Sequence, residues 1–357
     1  MTELVVSGVG TVRPEGFDFK TALGPRGYKY LPTASQYFLA AAKRALAGIG
    51  PDALDGVEAE RRGAAVGTNS AAAALHDAMD RTVMETGAED LSPVTAPYFS
   101  INLFGSRLAT EHELKGFNLT FASPRVAGLE AIESGRRALA AGRAHWLLAG
   151  ATEQVLAEGE PGAESSEAGA VALVLEPAAA VAARGGRAHG RVAVRSFFLP
   201  PALAAAGSGA ERARALIDGA LQALGHRGPG PDGPLPVTAV LDSSPVGEAV
   251  AAALGERAEY VPAGAGCLEP VARVAAALAD GAGPARVVVT AAAQGNAAVC
   301  LVTPGDPGTQ PGTQAGTQAG TQAGTQAGTS TGAQTRTRAE TQAETTRTEA
   351  QAEEGGG

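Results

Sequence analysis

Short runs rich in β-branched residues recur along the chain, separated by longer Ala-rich stretches whose apolar positions fall three or four residues apart. The runs predict strands at Leu4–Ser7, Ala64–Gly67, Phe117–Phe121, His145–Ala149, Gly169–Leu175, Val237–Asp242, Arg286–Thr290 and Ala297–Val302. The stretches between them predict helices over 33–48, 70–86, 100–114, 126–141, 209–224, 246–254 and 267–280. Regular alternation of the two periods argues for an α/β fold. The pattern also rhymes with itself: an early strand in each part leads to a helix, and each part later returns to a Gly/Ala-rich turn between strands. Four prolines in GPGPDGPLP (228–236) can continue neither a helix nor a central strand, so a surface loop is expected there, inside the second part.

Composition changes the picture at one end. Of the 357 residues, 305–357 are built from Thr, Gln, Ala and Gly around a repeated GTQA or GTQP unit, with no Val, Leu, Ile, Met, Phe, Trp or Tyr. Such a segment cannot offset the roughly 1–2 kcal/mol per residue of backbone entropy that ordering requires, so it is expected to be disordered. The net charge is −9, of which −6 falls on residues 1–304, and nucleic acid is not an expected partner. Cys267 and Cys300 are too few for a disulfide framework, and no Cys/His pair has metal-ligand spacing. No metal or other cofactor is expected. MTELVVSGVG has neither a basic leader nor a long apolar run, and no 18-residue apolar stretch occurs, so a cytoplasmic location without membrane association is expected.

The order of local motifs then becomes specific. The opening VVSGVGTVRPEG, the helix SQYFLAAAKRALAGIG (35–50), the stretch KGFNLTFASPRVAGLEAIESGRRALAAGRAHWLLAGATEQ (115–154), the segment EAGAVALVLEPAAAVAARGGRAHG (167–190) and the closing QGNAA with AVCLVTP (298–304) together resemble the thiolase-fold β-ketoacyl synthases. That resemblance implies duplicated βαβαβαββ halves in α-β-α-β-α layers, here 1–185 and 186–304, followed by the 305–357 tail. It also implies a catalytic Cys at the start of the helix after strand Phe117–Phe121, where the helix N-terminus lowers the thiol pKa, and two His from the second half.

None of the three is found. Counting back without gaps from Ala149-Gly150 puts the nucleophile position on Arg125, and a two-residue shift puts it on Ser123. The first His motif corresponds to VLDSSPVGEA (240–249) and lacks its His; the second corresponds to EYVPAGAG, with Tyr260 near the His position. No His occurs between residues 230 and 304 to serve as a base for Ser123, which otherwise reads as a turn residue before Pro124. Cys267 heads a helix and reads as a small buried thiol, and Cys300 as packing on the last strand. Arg125, a cation at a helix N-terminus, opposes the dipole; it reads as an ion pair or a solvent-facing Arg, or as filling the former nucleophile pocket or reaching a partner subunit.

Within the family, the chain-length factors of type II polyketide synthases have lost the cysteine, with Gln in its place; Arg125 departs from that. The resemblance to them implies a non-catalytic subunit that heterodimerises with an active ketosynthase across Asn118, Leu119, Thr120 and Phe121. The partner would meet the acyl carrier protein and its phosphopantetheine-linked chain. This subunit would close the acyl tunnel and set polyketide or polyene chain length. Tyr98, Ile101, Phe104 and Leu108 follow helical spacing on one face and are the expected floor, unless that stripe is simply core. The alternatives are a thiolase-fold acyltransferase or hydrolase using Ser123 or Cys267, and a carrier-protein docking module.

Overall fold

The computed structural model describes residues 3–94, 100–226, 228, 233–281 and 283–305. The tail expected to be disordered therefore lies outside the described residues from 306 onward, as do residues 229–232 of the Pro-rich loop. The first part of the chain forms β1 (Leu4–Val12), α1 (Phe19–Ala22), α2 (Thr33–Ile49), β2 (Arg62–Gly67), α3 (Ala73–Glu85), α4 (Leu103–Glu111), β3 (Phe117–Phe121), α5 (Ala127–Ala140), β4 (Trp146–Glu153) and β5 (Gly169–Pro177). It closes with α6 (Ala178–Ala183), and the second part forms β6 (Gly190–Phe198), α7 (Pro201–Ala204), α8 (Gly209–Ala223), β7 (Val237–Leu241), α9 (Pro245–Leu254), β8 (Ala258–Pro262), α10 (Leu268–Ala279), β9 (Arg286–Ala291) and β10 (Asn296–Pro304).

The strands line up in one sheet in the order β3-β2-β4-β5-β1-β6-β10-β9-β7-β8. Read outward from the centre, β1-β5-β4-β2-β3 and β6-β10-β9-β7-β8 carry the same pairings. In each, the first two contacts are antiparallel and the last two parallel. The two runs meet through the single pair Val6 and Gly190. The rhyme in the sequence is thus a structural repeat, and it leaves β3 and β8 as the two sheet edges.

Three apolar layers account for the fold. α2 and Leu108 of α4 cover one outer face with Phe38, Ala41, Ala45, Trp146 and Val174. α5 and α10 lie between the two strand runs with Leu129, Ile132, Val271, Leu173 and Cys300. α7, α8 and α9 cover the other outer face with Ile217, Val250, Val289 and Val299. The central helices sit close: a Cβ on Gly128 would come within 2.6 Å of Val271 and 2.8 Å of Ala151. That close approach brings the heads of α5 and α10 together, and the candidate site is built at those heads.

The differences from the sequence expectation have local causes. β6 and β8 were not expected, because Arg191, Arg195 and Glu259 interrupt the β-branched runs from which strands were read. The helix expected over 100–114 is confined to Leu103–Glu111, and that over 70–86 begins at Ala73, since Thr68, Asn69 and Ser70 are drawn into side-chain bonds instead.

Candidate functional site

Between β3 and α5 the chain makes a sharp turn through Ala122, Ser123, Pro124 and Arg125. Arg125 adopts φ +62°, one of two non-glycine residues in the left-handed region among those described. For an L-residue this conformation costs about 1 kcal/mol, so something must hold it. Asn69 does: its Oδ1 accepts the Arg125 N–H at 3.0 Å, while its Nδ2 donates to the carbonyls of Ala122 at 3.1 Å and Ser123 at 3.2 Å. The Arg125 guanidinium is mostly buried and pairs through Nη2 with Asp242 Oδ2 at 3.1 Å. Asp242 follows β7; its other oxygen accepts the Ser244 N–H at 3.0 Å, and Ser244 Oγ caps α9 by accepting from Gly247 N–H at 3.2 Å. Arg125 thus ties the first repeat to the second.

Burial pulls the Arg125 pKa below its ordinary value, and Asp242 and then Glu167 oppose the shift. Nε and Nη1 of Arg125 are buried without a hydrogen-bond partner, as is Oε1 of Glu167. Oε2 of Glu167 accepts the N–H groups of Leu268 at 2.7 Å and Glu269 at 3.0 Å and so caps α10 from outside the helix. Burial raises the Glu167 pKa despite those two bonds, and Glu153 pushes it the same way.

Glu153, fully buried at the end of β4, is the hub. It accepts the N–H groups of Asn69 at 2.8 Å, Ser70 at 2.7 Å and Cys267 at 2.9 Å, and the hydroxyls of Thr68 and Ser70. One carboxylate therefore fixes the loop that sets Arg125 and the turn that starts α10. Cys267 is fully buried there, and burial followed by the nearby Glu153 pushes its thiol well above the ordinary cysteine value. Burial also pushes Cys300 up to about 12. Neither sulfur is a thiolate near neutrality. Tyr260 lies on edge strand β8, and its hydroxyl sits 2.9 Å from the Ala251 carbonyl and 2.8 Å from that of Gly255, away from the elbow.

A thiolase-like elbow, strand to left-handed residue to central helix, can now be compared with known proteins. Residues 9–188 match the family described as "Beta-ketoacyl synthase, N-terminal domain". The chain belongs to the β-ketoacyl synthase family. No curated protein matches the sequence. Among solved structures, the ishigamide ketosynthase/chain length factor is 21% identical with TM-score 0.65, and a β-ketoacyl synthase from Burkholderia phymatum STM815 is 15% identical with TM-score 0.66. A type II PKS acyl carrier protein in complex with its ketosynthase bound to the hexaketide matches at 17% identity and TM-score 0.64. Each alignment covers 85% of this chain and all of the other. The shared feature is the ketosynthase fold.

The remaining expected positions are placed as follows. Leu108 is fully buried in the outer layer under α2. Ile101 is partly buried against Ala34, Ala71 and Ala72. Phe104 lies in α4, but its side chain falls outside the described residues, and Tyr98 lies outside them altogether. Asn118, Leu119, Thr120 and Phe121 all lie on edge strand β3, with Leu119 43% exposed and Phe121 packed towards the central layer. Ser123 contributes its carbonyl to the turn, accepting from Asn69 and from Ala127 N–H at 3.1 Å.

Sequence reasoning singled out Arg125 but not the four residues that fix it. Asp242, Glu153 and Glu167 stood inside quoted motifs without a role, and Asn69 was passed over. The available signal was an acid ending an otherwise apolar strand, WLLAGATE, which must be buried and therefore needs donors.

Proposed function

We propose that this chain is a non-catalytic, chain-length-factor-like subunit that pairs with an active ketosynthase and closes the end of its acyl tunnel. The observation that carries the reading is Arg125: the left-handed elbow at the head of α5, where a ketosynthase needs its nucleophile, bears a guanidinium neutralised by Asp242. A guanidinium stays protonated and attacks nothing. No His in 230–304 can act on a decarboxylating extender, the hydroxyl of Tyr260 is engaged at the surface, and both thiols are protonated. These facts argue equally against acyl transfer or hydrolysis through Ser123 or Cys267.

The edge geometry supports pairing. β8 carries Glu259 and Pro262, devices that discourage strand addition, whereas β3 reads FNLTF with neither charge nor proline. A partner strand added there would run across Asn118, Leu119, Thr120 and Phe121. Ile101 and Phe104, on or next to α4 and so close to β3, are our choice for the tunnel floor, with Tyr98 and Leu108 the next candidates on the same sequence stripe. A growing chain lengthens by about 1.25 Å per carbon, so one side chain's volume corresponds to roughly one extension. The carrier protein and its phosphopantetheine-linked chain would engage the partner subunit.

Co-expression with an active type II ketosynthase tests this. The expected result is a 1:1 complex whose product length changes when Phe104 is replaced by Ala or Trp. A stable homodimer indifferent to any ketosynthase would overturn the reading, and unchanged product length across both substitutions would reduce the chain to a docking module.

A further inference from the structure

Beside the segment that joins α1 to α2 lies a pocket of about 370 Å³ that shares no lining residue with the elbow. Leu23 and Tyr28 line it from that segment, Leu39 and Lys43 from α2, and Arg107, Glu111 and His112 from the end of α4. A spacing of four puts Leu39 with Lys43, and Arg107 with Glu111, on one face of each helix. Fixed contacts preform the walls. Gln36 Nε2 donates to the carbonyls of Tyr28 at 2.9 Å and Leu31 at 3.1 Å, which ties the segment to α2. The segment also lies close on α4, since a Cβ on Gly27 would stand 3.2 Å from Arg107 Nη2. Arg107 is itself locked: its Nε donates to Glu111 Oε1 at 2.8 Å, and its guanidinium carbon lies 5.5 Å from the centre of the Tyr28 ring.

The charges around this pocket do not cancel. Glu111 is the one carboxylate among the described lining residues, and Arg107 takes it. Lys43 is left without an acidic partner among the described residues; its Nζ donates to the Ala22 carbonyl at 3.0 Å and has two further N–H groups to give. The His112 side chain makes no hydrogen bond among the described residues. Burial holds its pKa below the ordinary 6.5 against the pull of Glu111, so near neutrality the ring is uncharged and presents one N–H donor and one acceptor. Burial and then Glu111 raise the Tyr28 pKa, so the phenol stays protonated. Leu23 and the buried Leu39 supply an apolar wall. One uncompensated cation, neutral donors and an apolar wall thus converge in a volume within the range of small-molecule sites.

We infer that this pocket binds a small organic monocarboxylate, with its carboxylate on Lys43 and the His112 ring and its short alkyl chain against Leu23 and Leu39. A cation would meet Lys43 unshielded. Inorganic phosphate would bring more negative charge than Lys43 alone can neutralise beside Glu111, and would leave the apolar wall uncovered. The site stands apart from the heterodimer reading and does not depend on it.

Saturation-transfer NMR and calorimetric titration of the full-length chain with acetate, butyrate and hexanoate test this, with hexanamide, hexylamine and inorganic phosphate as comparisons. The expected Kd for hexanoate is about 1 mM. Binding should tighten about fourfold per methylene from acetate to butyrate, and the amide, the amine and phosphate should each bind about tenfold more weakly than hexanoate or not at all. Lys43→Gln should weaken hexanoate about tenfold and Lys43→Arg should retain it. Lys43 is exposed and both replacements keep a donor for the Ala22 carbonyl, so the Tm should stay that of wild type. Hexanoate binding wild type and Lys43→Gln alike, or hexanamide binding as tightly as hexanoate, would overturn the carboxylate site. So would the absence of any carboxylate binding at about ten times the expected Kd. Each of these results leaves the ketosynthase complex to its own test.

Discussion

Arg125 joins three requirements at one residue: left-handed backbone, buried charge and a bond between the two repeats. Each can be separated by substitution. Removing the counter-charge with Asp242→Asn leaves a mostly buried guanidinium unpaired and should cost about 1–3 kcal/mol, read as a lower denaturation midpoint with an unchanged m-value. Arg125→Gly should be more stable than Arg125→Ala by about 1 kcal/mol, because only glycine takes φ +62° without strain. Glu167 carries a pH prediction. Its folded pKa is raised by burial above the ordinary 4.5, so the folded state favours the neutral acid. The stability tied to that proton is fully present below the unfolded pKa and is lost as pH rises through the folded one. Glu167→Gln keeps an acceptor for Leu268 and Glu269 but never ionises. Its Tm relative to wild type should therefore rise as pH climbs past the ordinary 4.5, and a difference independent of pH would contradict the assignment. The cysteines give a chemical readout: with Cys267 raised well above 9.0 and Cys300 at about 12, neither should react with iodoacetamide in the native protein, and both should on unfolding.

At the scale of elements, β3 is the decisive one. A charge placed on an open edge opposes strand addition, so Leu119→Lys should weaken the heterodimer while leaving the monomer's Tm nearly unchanged, since Leu119 is 43% exposed. The same element shows how far the sequence could be read. Phe117–Phe121 was legible as a strand to the residue because its alternation is clean and Lys115-Gly116 and Ser123-Pro124 bracket it. β6 and β8 were not, because Arg191, Arg195 and Glu259 break their apolar runs, and those charges are tolerated only where the strand has a solvated side. Arg125 could be placed by counting from the motif after it. The residues that hold it could not, since Asn69, Glu153 and Asp242 are 56, 28 and 117 positions away in sequence and meet only through the close packing of α5 against α10. Spacing rules reach one helix or one hairpin, and this network crosses four elements.

The whole molecule is a duplicated five-strand unit whose two copies share only the Val6–Gly190 junction in the sheet and are otherwise held by the central helices and by bridges such as Arg125–Asp242 and Glu153–Cys267. The heads of those helices hold an ion pair and buried carboxylates. The 305–357 segment has no Val, Leu, Ile, Met, Phe, Trp or Tyr to bury, so truncation after Thr313 should leave Tm unchanged by calorimetry. The central claim, that this chain shapes a condensation it does not perform, is tested most directly by intact-protein mass spectrometry of its complex with an active ketosynthase after incubation with an acyl carrier thioester. The account predicts an acyl adduct on the ketosynthase and none on this chain. A covalent acyl adduct on this chain, lost in Ser123→Ala or Cys267→Ala, would contradict it.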